Sequence, residues 1–139
     1  YCGKWIKHGD WYPDAKLRLW DSRKGHWTGK NPHDRFVLTE GKTKRIKKDI
    51  LHYSYYTISE HIKQVNYFTD ISAKAYFLAG KRSSIFKIFF SPIFKFFSSY
   101  FLRFGFLDGY LGFVQTVISA NETFLKYVKL KEIQDKEKW

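Results

Sequence analysis

The acids and imidazoles that could do chemistry gather before residue 53: Asp10, Asp14, His26, His33, Asp34 and His52. His33-Asp34 follows Asn31-Pro32, which sets the pair on a turn or a helix start. On a strand such neighbours point opposite ways, whereas on a turn both can face one cleft. A carboxylate placed there can accept the proton of an attacking hydroxyl. His52 ends a short apolar run, where a neutral imidazole could complete a metal shell or simply make a structural hydrogen bond. Lys16 and Arg18 could hold phosphates or form a solvated strand face. Lys44 to Lys48 (KRIKK) could bind nucleic acid or line a hairpin edge. No Walker loop, GxGxxG, HExxH or GxSxG pattern is present.

These groups need elements to hold them. Ala15 to Trp20 alternates, with Leu17 and Leu19 on one face and Lys16 and Arg18 on the other, which predicts a strand. His26–Thr28, Phe36–Leu38 and Ile50–Tyr53 predict further short strands, with a turn at Glu40-Gly41-Lys42. Thr57 and Glu60 fit a capping box. The recurrence of Ile58, Ile62, Val65, Phe68, Ile71, Ala75 and Leu78 then predicts an amphipathic helix ending near Gly80. A second helix starts at Ser83 or Ser84 and meets Pro92, which is expected to kink or divide it. A last helix is expected over about residues 110–131, with the charged tail fraying. The fold class is therefore α+β, with strands before three to four amphipathic helices. The boundary falls near residues 50–54, giving parts 1–53 and 54–139.

Between those helices lies a stretch of unusual composition. Ile85 to Gly109 is dominated by phenylalanine, and no Asp or Glu occurs from Ile71 to Leu107. A membrane-spanning helix needs about 20 mostly apolar residues. Lys87, Lys95, Arg103 and Pro92 interrupt this one, and a central Lys costs about 2.5–3.5 kcal/mol on insertion. Lys87, Ser91, Lys95 and Ser98 share one helical face, so the expected seating is in a membrane interface. There Phe86, Phe89, Phe90, Phe94, Phe97 and Phe101 face lipid, with Lys87, Lys95 and Arg103 toward anionic headgroups. The competing seating is a buried hairpin whose lysine stems snorkel.

The totals narrow the partners. The 139 residues carry a formal net charge of +12, which implies a polyanionic surface or phosphate groups. Aromatics reach 21% and Phe outnumbers Tyr and Trp, favouring lipid or core over stacked bases. Cys2 is the single cysteine, so neither a disulfide framework nor a thiolate cluster is available. The chain begins at Tyr1 and has no Met, so it is expected to be a piece of a longer protein.

The ordered set Gly9-Asp10-Trp11-Tyr12-Pro13-Asp14, Leu17-Arg18-Leu19-Trp20, His33-Asp34 and Leu51-His52-Tyr53-Ser54-Tyr55 resembles the C-terminal half of family 2 glycosyltransferases. The nearest type is the bacterial lipopolysaccharide-core glucosyltransferases. Asn66-Tyr67-Phe68-Thr69, Gly80-Lys81-Arg82, Pro92, Gly105–Gly109, Gly112-Phe113 and Phe124–Tyr127 extend the match along the chain.

The resemblance implies the acceptor half of a GT-A α/β domain, followed by a helical extension. It implies a sugar moved with inversion from a nucleotide-sugar donor to a lipid-linked or lipopolysaccharide-core saccharide. It gives Asp34 as base and His33 as its neighbour, where relatives usually carry the longer Glu after the histidine. Gly9, Asp10, Trp11, Tyr12, Asp14 and Arg18 become donor- or acceptor-binding residues. His52 becomes a ligand of Mg or Mn held mostly by residues upstream of this chain. The implied location is peripheral, on the cytoplasmic face of the inner membrane, with an anionic surface as partner and no nucleic acid. The rival expectations are a non-enzymatic basic membrane-surface module and, behind it, a nucleic-acid-binding domain.

Overall fold

The computed structural model of the chain describes residues 1–29 and 35–137. It is α+β: a two-stranded antiparallel hairpin and three long helices. Two compact units result, one formed by residues 1–14 with 53–139 and the other by residues 15–52. Residues 1–14, grouped above with the strands, thus pack with the helices.

In the smaller unit β1 (Gly25–Thr28) pairs with β2 (Arg35–Leu38), Gly25 opposite Leu38 and Trp27 opposite Phe36. Trp20 stacks on Phe36 at 4.7 Å and meets Trp27 edge-on at 5.5 Å. Asp21 caps a short 3-10 turn, Ser22–Lys24, by accepting from the Arg23 amide. The strands expected at Ala15–Trp20 and Ile50–Tyr53 do not form among the described residues. Alternation becomes a strand only when a neighbour supplies the ladder, and among the described residues only β1 and β2 pair. Leu19, expected on a buried face, is 82% exposed.

In the larger unit α1 spans Ile58–Leu78 and starts on the expected capping box. The Glu60 amide donates to Thr57 Oγ1 at 3.1 Å, and Glu60 Oε2 accepts from the Thr57 and Tyr56 amides. It ends in a Schellman turn. The Gly80 amide donates to the Phe77 carbonyl and the Lys81 amide to the Tyr76 carbonyl. Gly80 has φ +72°, a left-handed conformation that glycine adopts without a Cβ penalty.

Helix α2 spans Ile85–Phe97 and runs into a π-turn, Ser98–Leu102. Ser84 caps it. Pro92 withholds one backbone donor, but the loss of one bond does not divide the helix, contrary to the division allowed for above. A 3-10 turn, Gly105–Asp108, leads into α3, Gly109–Lys136. The tail expected to fray is helical through Lys136, held by the i,i+4 pairs Lys131–Asp135 and Glu132–Lys136.

Helix α3 packs against both α1 and α2. The buried side of α1 is His61, Val65, Thr69 and Ala73, whereas Ile62 and Leu78 of the expected apolar stripe are exposed. The side of α3 toward the interior is polar as well. Gln115, Thr116, Ser119 and Gln134 are buried in it. Lys129 Nζ reaches across to Asn66 O, Thr69 Oγ1 and Asp70 Oδ1, each at 2.8 Å.

Glycine sets the closest approach. A Cβ on Gly112 would lie 2.2 Å from the Gly105 carbonyl oxygen, so the turn before α3 folds back onto its second turn only because that hydrogen is all Gly112 presents. Gly112→Ala is expected to cost about 1–3 kcal/mol from overpacking. Urea unfolding checks it, with a lowered midpoint and an unchanged slope as the expected result.

Candidate functional site

The segment Tyr1–Asp14 lies on the helical unit through three attachments. Its first end is an aromatic cluster. Tyr1, Trp11, Tyr55 and His61 meet with ring centroids 4.4–6.1 Å apart, His61 stacking on Tyr55. Burial pushes the His61 imidazole down to about 4 and the Tyr1 hydroxyl up to about 12. At neutral pH the hydroxyl is therefore protonated and the imidazole neutral. Tyr1 Oη and His61 Nδ1 are hydrogen-bonded at 3.0 Å.

The second attachment is Asp108, the carboxylate that ends the long acid-free stretch. One oxygen accepts from the Lys7 and His8 amides at 3.0 and 2.8 Å, and the other meets the His8 ring at 3.1 Å. Lys4 Nζ donates to its carbonyl at 2.6 Å.

The third attachment is Asp10. Its oxygens lie 2.6 Å from Lys95 Nζ and 2.9 Å from an Arg103 nitrogen. The Gly9 amide donates to the Arg103 carbonyl at 2.9 Å. Gly9 is buried with φ +76°, and a Cβ there would sit 3.2 Å from Ser99 Oγ. Any other residue at position 9 is strained and crowded at once.

These contacts fix how α2 is turned. Ser91, Lys95 and Ser98, its polar face, are partly buried on the protein side, and Ser99 beyond them is fully buried. Phe86, Phe89, Phe90, Ile93, Phe94 and Phe97 are all exposed, Phe86 to 70% and Phe94 to 68%. Phe101, Leu102, Phe104, Phe106, Leu107 and Tyr110 are exposed as well. A helix of a water-soluble bundle faces its apolar side inward; this one is inverted. Lys95 and Arg103, expected against headgroups, instead share Asp10 within the protein. Lys87 donates to the Arg82 carbonyl at 2.8 Å. By length and composition Ile85–Leu102 is apolar enough to cross a membrane.

Beside Asp10 lies a cavity of about 290 Å³. Asp10 and Trp11 form one wall, Ser119, Glu122, Thr123 and Lys126 of α3 another, and Lys95 of α2 contributes its ammonium. Lys126 is held over the Tyr76 ring at 4.9 Å.

The residues expected to act are thus dispersed among three situations. Gly9, Asp10 and Trp11 come together in the larger unit, and Tyr12 and Asp14 follow them on an exposed stretch. Arg18 and His52 are exposed residues of the smaller unit. His33 and Asp34 lie outside the described residues. Among the described residues no three His, Cys, Asp or Glu gather to hold a metal, so His52 is a single donor here and does not form a metal shell by itself.

Sequence reasoning passed over Asp108, His61 and the α3 wall. Asp108 was visible as the lone acid between two glycines. His61 lies four residues before Val65, on the same face of α1.

Two outcomes follow from this geometry. Asp10→Asn leaves Lys95 and Arg103 without their shared partner and is expected to cost about 1–2 kcal/mol, the two cations being partly solvated. Amide hydrogen exchange checks it, with the Gly9 amide losing protection before those of α1. His61 holds its proton less tightly folded than unfolded, so stability is full above pH 6.5 and drains as pH falls toward 4. The loss is at most about 3 kcal/mol. Denaturant melts across that range are expected to show it, and His61→Gln to flatten it.

No protein-family model matches the chain, and no solved structure matches it. It is similar to curated Rickettsia proteins named uncharacterized glycosyltransferase. One from Rickettsia conorii is 33% identical over 111 residues, covering 76% of this chain and 39% of that protein. One from Rickettsia felis is 32% identical over 105 residues, covering 72% and 37%. One from Rickettsia typhi is 30% identical over 106 residues, covering 73% and 36%. The chain spans well under half the length of the curated relatives it matches. The similarity supports a glycosyltransferase function in general terms.

Proposed function

We propose that this chain is the acceptor-side part of an inverting family 2 glycosyltransferase. It works at a membrane surface on a lipid-linked or lipopolysaccharide-core saccharide. The similarity to glycosyltransferase-named relatives over about three quarters of the chain carries the transferase reading. The ordered residues from Gly9 to Tyr55 favour the family. Asp34 acts as base: it takes the proton of the acceptor hydroxyl as that oxygen bonds to the anomeric carbon and the nucleoside diphosphate departs from the opposite face. His33 orients it. A divalent ion, bound by residues outside this chain with His52 contributing, would supply positive charge to the departing diphosphate.

The inverted α2 supports the membrane seating. A spanning α2 would carry Asp10 and the charged length of α3 into hydrocarbon, where each ion costs several kcal/mol. An α2 lying in the interface buries its rings and leaves those charges in water. The proposed location is the cytoplasmic leaflet, where nucleotide sugars are found. The same exposed rings favour, as a second reading, a membrane-surface module without catalysis.

Asp34→Asn in the full-length protein separates the two. It is expected to abolish sugar transfer while donor binding by calorimetry survives, and near-normal turnover would remove Asp34 as base. Vesicle flotation tests the seating. Replacing Phe90, Phe94 and Phe97 together by Ser is expected to lower binding to phosphatidylglycerol-containing vesicles roughly 10,000-fold, at about 2 kcal/mol per ring.

A further inference from the structure

The cavity between the Gly9–Trp11 turn and α3 has a composition that the reaction above does not use. Two carboxylates, Asp10 and Glu122, and two ammoniums, Lys95 and Lys126, line it, so its formal charges cancel. A site for phosphate or diphosphate needs an excess of cations. A site for a neutral polyol needs acceptors and donors interleaved, because each sugar hydroxyl both gives and takes a hydrogen bond. Thr123, whose hydroxyl donates to the Ser119 carbonyl at 3.2 Å, adds an acceptor oxygen to that set, and Trp11 adds an aromatic wall. At about 290 Å³ the space is at the lower end of small-molecule clefts, with room for one ring.

The walls are set in advance. Trp11 is wedged among Tyr1, Tyr55 and His61, Asp10 is held by Lys95 and Arg103, and Lys126 by the Tyr76 ring. Little ordering cost therefore remains when a ligand enters. Position adds a second argument. Lys95 is on the inner face of α2, and the exposed phenylalanines are on its outer face. A ligand in the cavity is thus about one helix diameter, roughly 10 Å, from whatever those rings contact.

We propose that this cavity is a subsite for one neutral sugar ring of the acceptor, next to its lipid anchor. Trp11 stacks on the ring, while Glu122, Asp10, Lys126 and Thr123 engage its hydroxyls. The assignment of the sugar to the acceptor rests on the glycosyltransferase reading; the preference for a neutral sugar does not.

Saturation-transfer NMR on the full-length protein with methyl glycosides as probes tests it. Glycoside signals are expected with the native protein, reduced by Glu122→Gln and lost in Thr123→Phe, which fills the cavity from a partly exposed position. Circular dichroism confirms folding of both variants. Inorganic phosphate is expected not to displace the probe. Absence of any glycoside signal, a signal undiminished in Thr123→Phe, or displacement by phosphate overturns the subsite. Transfer from a nucleotide-sugar donor is assayed in parallel. Transfer that persists with unaltered acceptor KM in Thr123→Phe removes the subsite and leaves the enzyme. Glycoside binding lost in Thr123→Phe by a protein that transfers nothing keeps the subsite and removes the glycosyltransferase reading.

Discussion

Asp10 between Lys95 and Arg103 is the contact on which the larger unit turns. A carboxylate on a loop meets two cations from the longest stretch of the chain without acids of its own. Lys95 sits on the polar side of an otherwise phenylalanine-rich helix and Arg103 caps the π-turn that ends it, so pairing both inward forces the rings outward. One electrostatic requirement thereby sets the loop on α2, the roll of α2 about its axis, and the apolar surface that the unit presents.

The interior answers in kind. His61, Thr69, Ser99, Asp108, Gln115, Thr116 and Ser119 are buried, while most large apolar side chains from Ile85 to Tyr110 are not. Among the described residues Ser99 Oγ and Thr116 Oγ1 lack a hydrogen-bond partner, whereas others are held by bonds between segments far apart in sequence: Tyr1 to His61, Lys7 and His8 to Asp108, Lys129 to Thr69. Such bonds specify one arrangement of segments, where apolar packing alone tolerates several. A polar-centred bundle with an aromatic exterior gains from a lipid interface and loses in water, which ties the energetics of the fold to the proposed place of work.

Local signals were readable in the residues. The Thr57–Glu60 box, the stop at Gly80, the Ser84 cap and the turn bracketed by Gly105 and Gly109 depend on neighbours a few positions apart. What depended on distant partners was not readable. The buried stripe of α1 lies on His61 and Thr69 because Tyr1 offers the first a partner and Lys129 of α3 the second. Leu19 stays exposed because no strand among the described residues pairs with its segment, and Lys95 turns inward because Asp10, 85 positions earlier, is waiting. Of the cavity's lining, Asp10 and Trp11 stood out in the sequence, but the α3 wall did not. Ser119, Glu122, Thr123 and Lys126 read as an ordinary helix surface until the loop is laid against them.

The roll of α2 is the central claim, and site-directed spin labelling measures it directly. Nitroxides attached through Phe90→Cys, Phe94→Cys, Phe97→Cys, Ser91→Cys and Ser98→Cys are compared for collision with oxygen and with a water-soluble nickel complex, on anionic vesicles. The account predicts oxygen access and nickel exclusion at 90, 94 and 97, with both reagents excluded at 91 and 98. Equal lipid exposure at all five positions, or nickel access at 90, 94 and 97, would contradict it.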